Sequence, residues 1–285
     1  IEQLAPTVQA AEEPQPLLDM VDAYQRLSEP ETDLLEIYHD AEHALTEAMS
    51  LFNLGYMSLT VRAAVEELYW VIARRVLDAL GEELPDELAD LPDRLADIYF
   101  CNFSLFQSLV DSWAIGQVFP ITPIHRLDEK PTRRGILADI TCDSDGRVER
   151  FPGGAGESRR SLELHALRKA AARGGPSGNN EPYYLGVYLT GAYQETLGDL
   201  HNLFGDTHAV HVQAGENGDW HLEDVVEGDT VREVLRYVQF DPDAIRRTLR
   251  REVEGALAAR RITLDEAVRM RRFLDEGLEG YTYLE

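Results

Sequence analysis

The feature that most constrains this chain is a change of apolar period near residue 100. Before it, Leu34, Tyr38, Ala41, Leu45 and Phe52 fall on one helical stripe. Val65, Leu68, Ile72, Val76 and Leu80 make a second, and Leu88, Leu91, Leu95 and Ile98 a third. A helix apolar along one side must bury that side, so these stripes predict helices packed on one another. Leu17, Val21 and Tyr24 suggest a shorter helix ahead of them. Breaks at Glu29-Pro30, near Gly55 and over Gly81–Pro85 are short enough for antiparallel neighbours. The expectation is a four-helix bundle over 15–98, behind a Pro- and Glu-rich mobile lead-in at 1–14.

Past residue 110 the pattern turns strand-like. Trp113–Ile124 and Gly135–Cys142 are rich in β-branched and aromatic residues, and Pro182–Thr190 carries Tyr183, Tyr184, Val187 and Tyr188. Val210 and Val212 alternate with polar neighbours, and Asn217-Gly218 supplies a hairpin turn into Trp220 and Leu222. These signals predict a β-rich domain over 99–228. Residues 151–181, loaded with Gly, Ser and Asn, read as a long exposed and flexible insertion within it. Helices return over 229–285, where Ile245, Leu249, Val253 and Leu257 repeat every four residues. Thr263 and Glu266 form a capping box for the last helix, which Gly277 and Gly280 help to close. The fold class expected is α+β multidomain: antiparallel helical bundle, β-rich domain of barrel or sandwich type, and C-terminal helices.

Charge narrows the partners. The chain has 52 acids against 27 bases, a formal net charge of −25. Nucleic acid would be repelled, whereas a cationic small molecule would not. No apolar run reaches the ~18 residues of a membrane span, and no signal peptide opens the chain. Two cysteines, Cys101 and Cys142, suit a reducing cytoplasm rather than a disulfide framework. Ile1-Glu2-Gln3 carries no initiator Met, consistent with a start inside a longer chain.

Three constellations carry possible chemistry. In Ile140-Thr141-Cys142-Asp143-Ser144-Asp145-Gly146, an apolar strand runs out into a thiol followed by two carboxylates. Negative neighbours disfavour the thiolate, so Cys142 is expected to stay protonated, a poor nucleophile but a suitable proton donor. Asp143 is placed to hold an ammonium or guanidinium group; a structural Cys before an acidic turn is the bland alternative. In Gly191-Ala192-Tyr193-Gln194-Glu195, a strand-to-helix junction exposes N–H groups suited to phosphate, with the Tyr193 hydroxyl beside them. An ordinary turn with a packed Tyr fits the same residues. His39-Asp40-Ala41-Glu42-His43 matches H-x-x-E-H, which would place two zinc ligands on one helix side, but it lies in an otherwise plain bundle helix. The Gly153–Ser158 run lacks the Lys of a phosphate loop.

Longer motifs make a family visible. Asn102–Ser108, Trp113-Ala114-Ile115 with Phe119-Pro120, Asp139–Gly146 and Gly191–Glu195 resemble the biosynthetic arginine decarboxylases. So do His201–Thr207 and the closing Gly280–Glu285, in the family's order and rough spacing. The resemblance covers about 15–285 and is strongest over 99–240. It implies a fold-type III decarboxylase that converts L-arginine to agmatine and carbon dioxide, feeding putrescine and spermidine synthesis. Pyridoxal 5′-phosphate would be the cofactor, with Mg2+ possible beside it. The family's active site lies at a dimer interface, where the Cys-Asp motif reaches the other subunit's (β/α)8 barrel.

Carried over motif by motif, Cys142 resembles the acid that reprotonates Cα, Asp143 the substrate-binding carboxylate, and Tyr193 the hydroxyl near the cofactor phosphate. A decarboxylated substrate needs a proton at Cα, and a neutral thiol can give it. The barrel expected before the bundle is missing from these residues. Neither Lys130 nor Lys169 stands in a cofactor setting. The chain alone is therefore expected to be inactive and to need a barrel-bearing polypeptide or second subunit, within a homo-oligomer. Two other functions fit parts of the sequence: a non-catalytic assembly or regulatory fragment of a split decarboxylase, and a zinc hydrolase using His39 and His43.

Overall fold

The computed structural model describes residues 14–29, 32–81, 84–142, 146–168 and 181–284. The chain divides into two compact units, Ile1–Asp97 and Ile98–Glu285. In the first, α1 (Gln15–Arg26), α2 (Leu34–Asn53) and α3 (Leu59–Leu80) pack pairwise. Their starts are set by local hydrogen bonding. Asp33 accepts the Leu35 and Glu36 N–H groups at the head of α2, and Ser58 accepts that of Val61 for α3. These bonds satisfy donors that the first helical turn leaves orphaned. Ala41, Ala44 and Ala48 are buried along α2, and their small side chains let α1 and α3 approach it closely. Met20, Ile37, Val65, Ile72 and Val76 fill the space between.

A polar cluster borders this core, with the Tyr38 and Tyr69 rings buried and Arg94 exposed. Arg94 donates to the Tyr38 hydroxyl at 2.7 Å, to the Tyr69 hydroxyl at 2.8 Å and to Glu42 at 3.1 Å. Burial pushes the Tyr38 hydroxyl well above its usual range, so it stays a neutral hydrogen-bonding group.

The fourth helix expected from Leu88, Leu91, Leu95 and Ile98 does not form as such. Asp86–Leu88 is a 3-10 turn, α4 spans only Leu91–Arg94, and Ile98 lies half-exposed in a strand. Pro85 and Pro92 interrupt the helical hydrogen-bond ladder here. Leu88, Leu91 and Leu95 are buried all the same, so their spacing marks burial and not helix.

The second unit begins with β1 (Asp97–Phe100) and two short helices, α5 (Leu105–Ser108) and α6 (Val110–Ala114). Trp113, read as strand from sequence, is therefore helical. The strands that follow are β2 (Ile121–Pro123), β3 (Arg133–Ala138), β4 (Arg147–Val148), β5 (Phe151–Pro152), β6 (Ser158–Arg159), β7 (Leu162–Leu164) and β8 (Leu185–Val187). The main sheet runs β1-β3-β4, and β7 also pairs with β3, antiparallel, with Gly135 opposite Leu162. Gly135 admits the Tyr99 ring, because a Cβ there would come within 2.7 Å of it. Tyr99, Leu105, Phe106, Phe119, Ile121, Leu137 and Phe151 share one core.

Residues 151–164 correct the expectation of an exposed insertion. Phe151, Ser161, Leu162 and Leu164 are buried, and β5 pairs with β6. Gly and Ser dominate the composition there, but the alternating Leu162 and Leu164 were the informative residues. Residues 169–180 of that stretch lie outside the described residues.

After α7 (Ala192–Thr196) come β9 (Ala209–Ala214) and β10 (Trp220–Val226), a hairpin with Ala214 opposite Trp220. Asn217 and Gly218 both take positive φ in its turn, as the Asn-Gly signal requires. The helices α8 (Val231–Tyr237), α9 (Pro242–Ala258) and α10 (Leu264–Glu279) follow. Thr263 and Glu266 do form a capping box, and Thr230 with Glu233 forms another. Gly280 stands just past the end of α10, while Gly277 lies within it. Among the described residues no helix is long and apolar enough to cross a membrane.

Candidate active site

The motifs scattered from 102 to 285 converge on the stretch from Asn102 to α6. Asp139 is buried at the end of β3. Its carboxylate accepts the Leu105 N–H (2.8 Å) at the start of α5, and the N–H and hydroxyl of Thr141 at 3.0 and 2.7 Å. Its own N–H donates to the Gly146 carbonyl, and only glycine fits at 146: a Cβ would stand 2.0 Å from the carboxylate. These bonds carry the chain from a strand end into a fixed turn, and Cys142 follows directly, exposed to solvent. Asp143, with Ser144 and Asp145, lies outside the described residues.

The partner of Cys142 comes from another motif. Its N–H donates to Asn202 Oδ1 at 3.0 Å, and Asn202 Nδ2 donates to its Sγ at 3.1 Å. The backbone N–H can only donate, so the amide oxygen must face it and the NH2 must face sulfur. Asn202 lies within the His201–Thr207 motif, and no role for it is evident from sequence. Its φ of +52° is a left-handed conformation that Asn tolerates better than most residues. An Asn before Leu-Phe-Gly was the one local sign of a tight turn.

That turn is held on several sides. His201 packs on Phe106 with ring centroids 4.4 Å apart, and Phe204 N–H donates back to His201 at 3.1 Å. The Gln107 amide donates to Asp206. Tyr283, from the C-terminal motif, is buried and donates to the Gly205 carbonyl at 2.8 Å. Asn102 exchanges two hydrogen bonds with the backbone of Leu284, at 2.6 and 2.9 Å.

Tyr193 belongs to the same frame through its neighbours. Gly191, at φ +70°, opens α7, and the next residue but one presents its ring to solvent at 73% exposure. Buried Gln194 anchors α7, donating to the Asp111 carboxylate and accepting the Asp111 N–H at 3.1 Å. Gly198 approaches the Gln107 carbonyl too closely for any side chain, and Asp199 N–H donates to Phe106 O. The Cys142 turn is thus tied to the start of α5 through Asp139 and Leu105, and the helix of Tyr193 to α6 through Gln194 and Asp111.

Electrostatics around the turn are acidic. Partial burial, then repulsion from Asp229 and Glu195, raises the Asp206 carboxyl above the usual range. Tyr237 donates to Asp229 at 3.1 Å. The other thiol, Cys101, is pushed by burial up to about 11.

The bundle histidines do not assemble a zinc site. His39 lies 3.8 Å from Glu87, Glu42 is engaged by Arg94, and no group of three or more metal-binding side chains exists among the described residues.

A helical bundle, a sheet-containing unit and a helical tail follow one another along the chain, and the comparisons with known proteins fit that order. Residues 10–95 match the arginine decarboxylase helical bundle domain, and 231–284 the arginine decarboxylase C-terminal helical extension. The chain belongs to the arginine decarboxylase family. It is 50% identical over 256 residues to the biosynthetic arginine decarboxylase of Gloeobacter violaceus, covering 87% of this chain and 38% of that protein. Over 286 residues it is 46% identical to the Thermosynechococcus vestitus enzyme, covering 100% and 43%. The crystal structure of the Campylobacter jejuni biosynthetic arginine decarboxylase superposes with a TM-score of 0.74 at 30% identity, covering 98% of this chain and 42% of that one. The chain therefore spans about two fifths of its relatives' length.

Pyridoxal phosphate is held covalently by a lysine in the enzymes that use it. Lys130, the one lysine among the described residues, is exposed in the turn after Leu127, and Lys169 lies outside them. The described residues do not build that half of a cofactor site.

Proposed function

We propose that this chain provides the proton-donating part of an L-arginine decarboxylase acting in polyamine biosynthesis in the cytoplasm. In this reading pyridoxal phosphate, with Mg2+ possible, is held by a (β/α)8 barrel on another polypeptide or a second subunit of a homo-oligomer. When bound, the cofactor supplies the electron sink for loss of carbon dioxide. Cys142 gives its thiol proton to the substrate Cα, Asp143 holds the cationic end of arginine, and Tyr193 offers a hydroxyl to the cofactor phosphate.

One observation carries the reading: Cys142 stands exposed past a strand end, on a turn held by buried Asp139, with the Asn202 amide against its sulfur. A structural cysteine needs neither exposure nor a fixed sulfur. The solvent-facing Tyr193 ring on the same frame is consistent with a site completed from outside this unit.

The test is complementation. Purified chain with arginine and pyridoxal phosphate should form no agmatine, and adding a barrel-bearing polypeptide should restore it. Turnover by the chain alone would overturn the division of labour. Failure of every barrel-bearing partner to restore it would favour an assembly or regulatory fragment instead.

A further inference from the structure

Asn202 makes two bonds to one residue, and they do different things. The carbonyl oxygen takes the Cys142 N–H and fixes the backbone, while the NH2 group is aimed at Sγ at 3.1 Å. A neutral thiol is a weak acceptor, so little is gained there before the reaction. Once the S–H bond breaks and the proton goes to Cα, the electron pair of that bond stays on sulfur as a thiolate. The same N–H then meets a full negative charge, and a hydrogen bond to a charged group is about twice as strong.

An interaction that strengthens as charge develops lowers the barrier to proton release, provided the donor is already in place. The turn supplies that preorganisation. Asn202 and Leu203 hold consecutive left-handed conformations at φ +52° and +66°. The turn is pinned by Phe204 to His201, by Tyr283 to Gly205 and by His201 on Phe106. The acidic groups near it, Asp206 and Asp229, carry no N–H that could play this part.

We infer that Asn202 is a positioning residue for proton transfer, holding the Cys142 side chain and stabilising the sulfur as it gives up its proton. The inference rests on the reading of Cys142 as proton donor.

Its test needs no cofactor. Iodoacetamide alkylation at one neutral pH, read by mass spectrometry at Cys142 and Cys101 separately, reports the thiolate at each sulfur. In Asn202→Asp the side chain keeps the acceptor for the Cys142 N–H and the tolerance for positive φ, but puts a carboxylate oxygen against sulfur. Alkylation of Cys142 should then slow about tenfold or more, with the Cys101 rate unchanged. Asn202→Ala should slow it about tenfold if the turn survives. If Asn202→Ala opens the turn, both cysteines speed up and Asn202→Asp decides. An unchanged or faster Cys142 rate in Asn202→Asp would overturn the inference. Agmatine formation surviving Cys142→Ala in the complemented enzyme would instead sink the proton-donor reading, while leaving the Asn202–sulfur contact measurable.

Discussion

The two units are stabilised in different ways. The first unit packs its three helices around a core of apolar side chains, with Arg94 and its two buried tyrosines at the edge of that core. Ile98–Glu285 has short strands and short helices, and its loops are joined by polar links across long stretches of sequence, such as Asn102 to Leu284 and Gln107 to Asp206. The second unit is held by hydrogen-bonded groups that join distant loops, and several of its sequence motifs meet there.

The largest effect should follow loss of a node. Asp139→Ala leaves the Leu105 N–H and the Thr141 groups without their acceptor inside the protein, at a cost of about 3 kcal/mol. Hydrogen exchange should rise through α5 and the 139–142 turn and stay unchanged in α2 and α3. Equal loss of protection in both units would break the contrast. Gly146→Ala should act in the same direction, because its methyl would collide with Asp139.

In the bundle, Arg94→Ala should cost about 1–2 kcal/mol, since two partly buried tyrosine hydroxyls lose a charged donor but keep each other at 3.1 Å. Chemical denaturation read by exchange in α2 and α3 checks it. A loss as large as that of Asp139→Ala would place a comparable polar node in the bundle.

Thr263→Ala removes a capping box from α10 and should cost about 1 kcal/mol, confined to the C-terminal helices. Smallest is a pH effect at Asp206. Its carboxyl titrates higher folded than unfolded, so ionising it works against the fold. That loss sets in as pH rises through the ordinary carboxylate range toward the raised value. Asp206→Asn should flatten the thermal stability profile over that interval, and a steeper profile would contradict the assignment.

The same contrast decides what was legible in the sequence. The stripes of α2 and α3 are periodic over about four turns or more, and helix periodicity is a local property that one sequence displays. Leu88, Leu91, Leu95 and Ile98 misled because burial without helix leaves a similar spacing when prolines bend the chain. The second unit's site is the opposite case. Cys142, Tyr193 and Asp139 all lie in motifs that the sequence displays. Nothing in composition or period joins position 142 to 202 or 107 to 206, because those contacts are made by loops closing in space. Asn202 went unassigned for that reason, and so did the burial of Phe151, Leu162 and Leu164 amid glycines and serines.

The central claim is that the sulfur of Cys142 delivers the proton. Agmatine formation should be compared in the chain complemented by a barrel-bearing polypeptide, with wild type, Cys142→Ala and the control Cys101→Ala. The account predicts that Cys142→Ala loses about a hundredfold or more in kcat while arginine binding and assembly persist, and that Cys101→Ala stays within a few-fold of wild type. Full activity in Cys142→Ala would contradict it.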